Sequence, residues 1–367
     1  MVSKEFFKQI EAYAEEKQLD VEQVMESFRN SILKATQKET GKTAKVEFNP
    51  SKNEILVYTV EKVVAEYSNS ELQEGEVEIS EILLEDAKKI KSTAKVGDIL
   101  ETAVNPKLFS RQTARSAKST FGSDIKSVER EKAYEYFMQF VDEMISADVI
   151  DANDKFLILS VGQGITTVLP RAELLRNDEF GIGDRIKVYV KKVEQTSKGP
   201  KIVVSRSDKN LVIRLLENSI SEIKDGIVEI KGIARDAGDR CKIAIYSNDE
   251  KVDALGACVG TGGERIKEVV NGLNGEKIDL YKWSDNPEEL VANSLQPAHV
   301  SRVLNIDVKN KTSLAIVPDD QLSLAIGKAG QNVRLAVMSS GWKIDIKPLT
   351  EAYAEGLLND LLFDKNN

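Results

Sequence analysis

Two short segments, 67 residues apart, carry the residues best suited to chemistry: Cys258-Val-Gly-Thr-Gly-Gly-Glu-Arg-Ile and Ala325-Ile-Gly-Lys-Ala-Gly-Gln-Asn-Val. Each is an apolar run, a Gly-x-x-Gly loop and an amphipathic helical pattern, closed by the alternating strands Lys277-Ile-Asp-Leu and Lys343-Ile-Asp-Ile. Glycine lets bare main chain approach a ligand, and the start of the following helix presents unpaired N–H groups that favour anions. The chemistry this suits is a clamp on a sugar-phosphate backbone, formed by Gly260, Thr261, Gly262 and Gly263 in one copy and by Gly327, Lys328, Ala329 and Gly330 in the other. Lys328 sets a cation against phosphate, whereas Thr261 and Gly262 offer a hydroxyl and bare backbone. The second loop is therefore expected to carry more of the salt-dependent affinity. Aspartate at Gly327 and Gly330 is expected to abolish binding by that unit while leaving it folded.

Other cations extend the candidate surface. Arg265 and Arg334 follow the loops, and Arg235, Arg240 and Lys242 lie on or beside two strands that could line the groove opposite Arg265. Lys187, Lys191 and Lys192 share one strand pattern, and with Arg171 they suggest a basic face. The aromatic supply there is Phe156, Phe180 and Tyr189, so base stacking should contribute less than is usual in single-strand binders. Arg111, Arg115 and Lys118 fall at i, i+4 and i+7 of a long helical pattern; as charge pattern alone, this is equally a solvated face.

Catalysis finds little support. His299 is the only histidine, and Cys241 and Cys258 sit in apolar patterns, so no metal set or nucleophilic triad can be assembled. Gly41-Lys42-Thr43 lacks the upstream glycine of a phosphate-binding loop, since position 36 is Thr, and reads as a helix cap. No cofactor is called for.

The elements that must position these residues follow from pattern. A length of 367 residues with 41% hydrophobic residues implies several packed domains. No stretch is apolar enough for a membrane span, and two cysteines suit a cytosolic protein. The net charge of −9 hides a division: residues 1–104 hold 14 Lys/Arg against 21 Asp/Glu, and residues 105–132 hold 7 against 3. Residues 3–39 read as two helices, with Asp20 capping the second. Strands are expected at 44–48, 54–64 and 76–80, then a helix from Ser110 to Ile145. Short strands over 145–205, with an insert at Pro170-Arg-Ala-Glu-Leu, read as a five-stranded OB barrel. Thereafter the order α-β-β-α-α-β occurs twice without a linker, which predicts two abutting units with the loop of a KH domain.

The sequence Asn105-Pro-Lys-Leu-Phe-Ser-Arg-Gln-Thr-Ala-Arg-Ser-Ala-Lys and the segment Leu169-Pro-Arg-Ala-Glu carry a resemblance to a known family. So do Arg235-Asp-Ala-Gly-Asp-Arg-Cys-Lys-Ile-Ala-Ile and, most specifically, Ile326-Gly-Lys-Ala-Gly-Gln-Asn-Val-Arg-Leu-Ala. With them the chain resembles the NusA family of bacterial transcription factors over nearly its full length. The resemblance implies a multidomain α+β protein: an α+β N-terminal domain with a long basic connecting helix (1–132), an S1-type OB-fold β-barrel (133–205), two tandem type II KH domains (206–284 and 285–348) and a short acidic tail (349–367). It implies a monomeric, cytoplasmic, non-enzymatic factor that docks on RNA polymerase at the β-subunit flap, holds nascent single-stranded RNA and works beside other antitermination factors. Arg111, Arg115 and Lys118 would then face RNA at the exit channel. The first loop lacks the basic residue often found there, and no acidic repeats follow the second KH unit, so self-masking of the RNA surface is not expected. The alternatives are a ribosome-associated or RNA-processing KH/OB protein and an RNA-degrading enzyme, for which residues 1–130 are too short.

Overall fold

The computed structural model describes residues 5–67, 79–105 and 109–358. Two compact units divide the chain: residues 1–135 with 197–199, and residues 136–196 with 200–367.

In the first unit, helices α1 (Phe6–Lys17) and α2 (Val21–Thr40) bury Ile10, Ala14 and Val24 against Ile125 of α4 (Arg111–Met138). Asp20 caps α2 by accepting from the Glu22 N–H at 2.7 Å. Gly41, at φ 69°, closes α2, so the glycine of Gly41-Lys42-Thr43 is the expected cap; Lys42 pairs with the buried Glu61 at 2.9 Å. The sheet is built on the long β2 (Glu54–Val64), antiparallel to β1 (Ala44–Asn49) and β4 (Ile99–Ala103) and parallel to β3 (Ser80–Leu83). Of the strand expected at 76–80, residues 76–78 lie outside the described residues. The short helix α3 (Leu84–Ile90) follows β3 and buries Ala87 against Val63, Ile82 and Leu100.

Helix α4 ends at Met138, seven residues short of the expected Ile145. Helical periodicity is overridden there by pairing: Met144 to Asp148 of β5 (Met144–Ala152) lie antiparallel to β8 (Arg185–Thr196). The remaining barrel strands are β6 (Phe156–Gly162), β7 (Ile165–Pro170) and β9 (Gly199–Ser205), in the order β7-β6-β5-β8-β9. The Thr167 hydroxyl of β7 donates to the Ile202 carbonyl of β9, which brings the two edges of the sheet together.

Two units follow in the expected α-β-β-α-α-β order, except that the opening helix of the first is broken in two at the extended Ile220. The first holds α5 (Lys209–Ser219), α6 (Ser221–Lys224), β10 (Val228–Asp236), β11 (Arg240–Ser247), α7 (Ala254–Val259), α8 (Glu264–Gly272) and β12 (Lys277–Lys282). The second holds α9 (Pro287–Ser294), β13 (Arg302–Asp307), β14 (Thr312–Val317), α10 (Leu322–Ile326), α11 (Gln331–Ser340) and β15 (Lys343–Pro348), then α12 (Leu349–Ala354). In each sheet the central strand pairs antiparallel to the first strand and parallel to the last.

These units are fused. Cys241, Ile243 and Ile245 of β11 point into the first unit's core, which also takes in Leu175 and Tyr189 from the barrel. The opposite face of that sheet supplies Ala244 and Tyr281 to the second unit's core. A Cβ at Gly232 of β10 would lie 1.9 Å from the Ser339 carbonyl oxygen of α11, so this seam closes only on glycine. Both cysteines are buried, and burial pushes the Cys258 thiol up to about 12, far from a reactive thiolate.

Candidate nucleic-acid interface

The two Gly-x-x-Gly loops have one backbone. Gly260 (φ 70°, ψ 178°) matches Gly327 (φ 75°, ψ 171°), and Gly262 (φ 64°, ψ 12°) matches Ala329 (φ 51°, ψ 33°). Each loop closes on itself, the Gly263 N–H donating to Gly260 O at 3.2 Å and the Gly330 N–H to Gly327 O at 3.1 Å. The first glycine of each loop is fixed by both conformation and space. A Cβ at Gly327 would meet the Asn332 backbone nitrogen at 2.7 Å, and one at Gly260 would meet Arg265 Cγ at 2.9 Å. Gly330, by contrast, faces open space. The expectation that aspartate at Gly327 leaves the unit folded is therefore corrected: it would force Asn332 to move. Thr261, Lys328 and Ala329 are exposed, so the two central positions are the ones open to a ligand.

The residue five places after that first glycine holds each loop in place. In the first unit Arg265 donates to both Glu222 carboxylate oxygens, at 2.9 and 2.8 Å, and to Ala257 O at 2.8 Å. The Arg265 hydrogen bond leads the causes that hold the Glu222 carboxyl below the usual range. In the second unit the buried Asn332 donates to Leu295 O at 2.9 Å and Ala325 O at 3.0 Å. Arg334 is bonded to Asp236, and Gln331 donates to Asp236 at 2.9 Å and Asp239 at 2.8 Å, which ties the start of α11 to the β10–β11 turn.

Two of the expected groove cations are not at the surface. The Arg235 side chain, 3% exposed, makes two 2.8 Å hydrogen bonds to Glu276, whose own side chain is 0% exposed. Glu276 also accepts from the Gly238 N–H at 2.9 Å, so Arg235 holds the β10–β11 turn and does not face a ligand. Lys242 is buried at the seam, its ammonium donating to Gln296 O at 2.6 Å, just past the end of α9. Arg240 remains half-buried, paired with Asp279 at 3.0 Å.

Burial pushes Lys242 down to about 8 from 10.5. The folded chain therefore holds this proton less tightly than the unfolded chain, and stability attributable to Lys242 rises with pH between those two values. Lys242→Met is expected to raise the unfolding temperature at about pH 7.5 and to narrow its gain on going to about pH 10. Thermal melts of both proteins at the two pH values check this.

On the barrel, the expected basic face is divided among carboxylates. Lys191 lies 3.8 Å from Glu173 and 3.9 Å from Asp208, while Lys192 pairs with Glu194 at 2.5 Å. Lys187 is half-buried, and Arg171 donates to Asn153 O at 2.9 Å. Tyr189 cannot stack on a base: it is buried, with its hydroxyl donating to Asp142 at 2.6 Å and accepting from Asn210 at 3.0 Å. Phe180 lies against the Arg206 guanidinium, 5.0 Å from ring centroid to cation. Phe156 alone of the three is without such a commitment.

Within residues 1–135, Arg111, Arg115 and Lys118 are all exposed on α4, and among the described residues no carboxylate lies within 4.0 Å of them. The basic stripe runs beyond these three: a shallow groove continues it past Gly122 to Lys126 and to Arg130, whose guanidinium also donates to Ser197 O at 2.5 Å. The start of α4 is anchored on α2, where Glu39 accepts from the Ser110 N–H at 3.2 Å and hydroxyl at 3.1 Å and from the Thr113 hydroxyl.

Comparison with known proteins places this arrangement. The NusA N-terminal domain matches residues 5–131, the S1 RNA binding domain residues 139–207, the NusA-like first KH domain residues 206–283 and the NusA-like second KH domain residues 287–354. The transcription termination/antitermination protein NusA of Halalkalibacterium halodurans is 38% identical over 98% of this chain and 92% of its own length. That of Bacillus subtilis is 39% identical over 97% of this chain and 94% of its own. That of Thermus thermophilus is 33% identical over 96% and 93%. Four matched domains in one order, and relatives aligned nearly end to end, show that the chain belongs to the NusA family.

Proposed function

We propose that this chain is a transcription elongation factor that binds RNA polymerase at the β-subunit flap region through residues 1–132 and holds the emerging single-stranded RNA on its S1 and KH domains. In that position it adjusts pausing, intrinsic termination and antitermination, as a cytoplasmic monomer beside other antitermination factors and without a catalytic step. The observation that carries the reading lies in residues 136–196 and 200–367: a barrel and two Gly-x-x-Gly loops of closely matching backbone are packed on shared cores, which suits one continuous strand. The unpaired cations Arg111, Arg115 and Lys118 suit RNA phosphates beside polymerase.

Crosslinking of the chain to a paused elongation complex, with pause lifetimes measured in parallel, tests it. Crosslinks from residues 1–132 to the β subunit and from the barrel and KH domains to RNA are expected, with pause lifetimes altered. Replacing Arg111, Arg115 and Lys118 together by Ala should weaken the effect on a hairpin pause and flatten its salt dependence. Unaltered pausing and termination with purified polymerase would refute the reading.

A further inference from the structure

The first loop holds no cation, yet its backbone copies that of the loop bearing Lys328. Arg265 cannot fill the gap, because its guanidinium is turned onto Glu222 and Ala257. The side chain that does reach the loop is Lys267, one turn into α8. Its ammonium donates to Gly262 O at 2.9 Å, and its stem runs beside Gly263, where a Cβ would lie 3.6 Å from Lys267 Cε. An ammonium has three N–H donors, so two remain for another acceptor. Lys267 is exposed, and although Glu264 and Glu268 flank it, among the described residues no carboxylate lies within 4.0 Å of its nitrogen.

The counterpart of Lys267 in the second unit, 67 residues on, is Arg334, which is committed to Asp236. The two units thus reverse their parts. In the second, the loop carries a cation with no carboxylate partner among the described residues and the helix cation is paired with one; in the first, the loop is neutral and the helix cation meets a loop carbonyl but no carboxylate.

We propose that Lys267 is the phosphate-binding cation of the first KH loop, supplying from the helix what Lys328 supplies from within the second loop. The proposal rests on the reading that these loops hold RNA. It makes both loops competent clamps, the first drawing its cation from a residue one helical turn along α8 whose ammonium reaches back to Gly262 O.

The test is a salt titration of the full chain with a fluorescein-labelled single-stranded RNA long enough to span both loops, read by anisotropy. Lys267→Gln keeps a donor for Gly262 O and removes the charge. It is expected to weaken binding about fivefold at 0.1 M salt and to make the slope of log K against log salt shallower by about 0.7. Adding Thr261→Lys to that variant places the cation where the second loop has it, and should restore both. An unchanged slope in Lys267→Gln overturns the proposal. So does a loss that Thr261→Lys fails to restore, which would make Lys267 a pin for the loop and not a phosphate contact. The variant Lys328→Asp/Ala329→Asp separates the two levels: if it too leaves binding intact, the RNA reading has failed, and if it alone loses binding, only the role of Lys267 has.

Discussion

Lys328→Asp combined with Ala329→Asp is expected to lower affinity for single-stranded RNA about 100-fold, without lowering the unfolding temperature. Both side chains are exposed at the centre of the second loop, so neither change removes a packing contact. Losing the Lys328 cation costs one counterion-release contact, about fivefold at 0.1 M salt. Two new carboxylates near a phosphate add repulsion of about 1 kcal/mol each at an exposed site, and every 1.4 kcal/mol is tenfold. Backbone geometry favours these positions over the flanking glycines. Ala329 already sits at φ 51°, a conformation that aspartate tolerates better than most residues, whereas Gly327 has no room for a Cβ. Anisotropy titrations beside thermal melts check both halves. Retained affinity would remove the second loop from the RNA path, and a lowered melting temperature would assign the loss to misfolding.

The two loops, the order of the strands and helices around them and the caps at Asp20 and Gly41 were legible because local rules decide them. Glycine spacing fixes where backbone turns left-handed, and periods of 2 and 3.6 fix which side of an element is apolar. What local pattern leaves open is which element covers a polar face. Along β11, Cys241, Ile243 and Ile245 alternate with Lys242 and Ala244, and the second set reads as solvent-facing until the second KH unit is laid over it. Arg235 misled for the same reason, since its partner Glu276 is 41 residues away and immediately precedes β12. Lys191 and Lys192 looked like one basic face because adjacency in sequence says nothing about Glu173, Asp208 and Glu194. Lys267 was within reach of sequence reasoning, four residues after Gly263 and so one helical turn from the loop. Only the 2.9 Å approach to Gly262 O separates it from any other surface lysine.

The barrel and the first KH unit meet at a charge pair that cannot be broken cheaply, and Asp178→Ala is expected to destabilise the compact unit of barrel and KH domains by about 3–5 kcal/mol. The Arg206 side chain is 2% exposed and the Asp178 side chain 0%. Their contact is bidentate, Nε to Oδ2 at 2.6 Å and Nη2 to Oδ1 at 3.0 Å. Two further N–H groups of Arg206 go to Lys187 O at 2.7 Å and Gly272 O at 3.3 Å, one on barrel strand β8 and one at the end of α8. Asp178 in turn accepts from the Leu175 N–H at 2.9 Å and from Asn274 Nδ2 at 2.7 Å, again one partner from each domain. Removing the carboxylate strands a guanidinium with no water to meet it, which costs far more than the pair contributes in net terms. For a unit of this size the loss corresponds to a fall of about 10 °C in unfolding temperature. The double variant Asp178→Leu/Arg206→Met leaves no charge at this site but still orphans the Leu175 N–H, Asn274 Nδ2 and Lys187 O, and should recover part of that stability. Calorimetry on both variants separates a buried pair, in which the single change is the damaging one, from an exposed pair, in which both would be nearly silent. If the pair also sets the register of barrel against KH unit, the stable double variant should bind a long RNA spanning both domains more weakly than wild type, and a short RNA confined to the KH loops equally well.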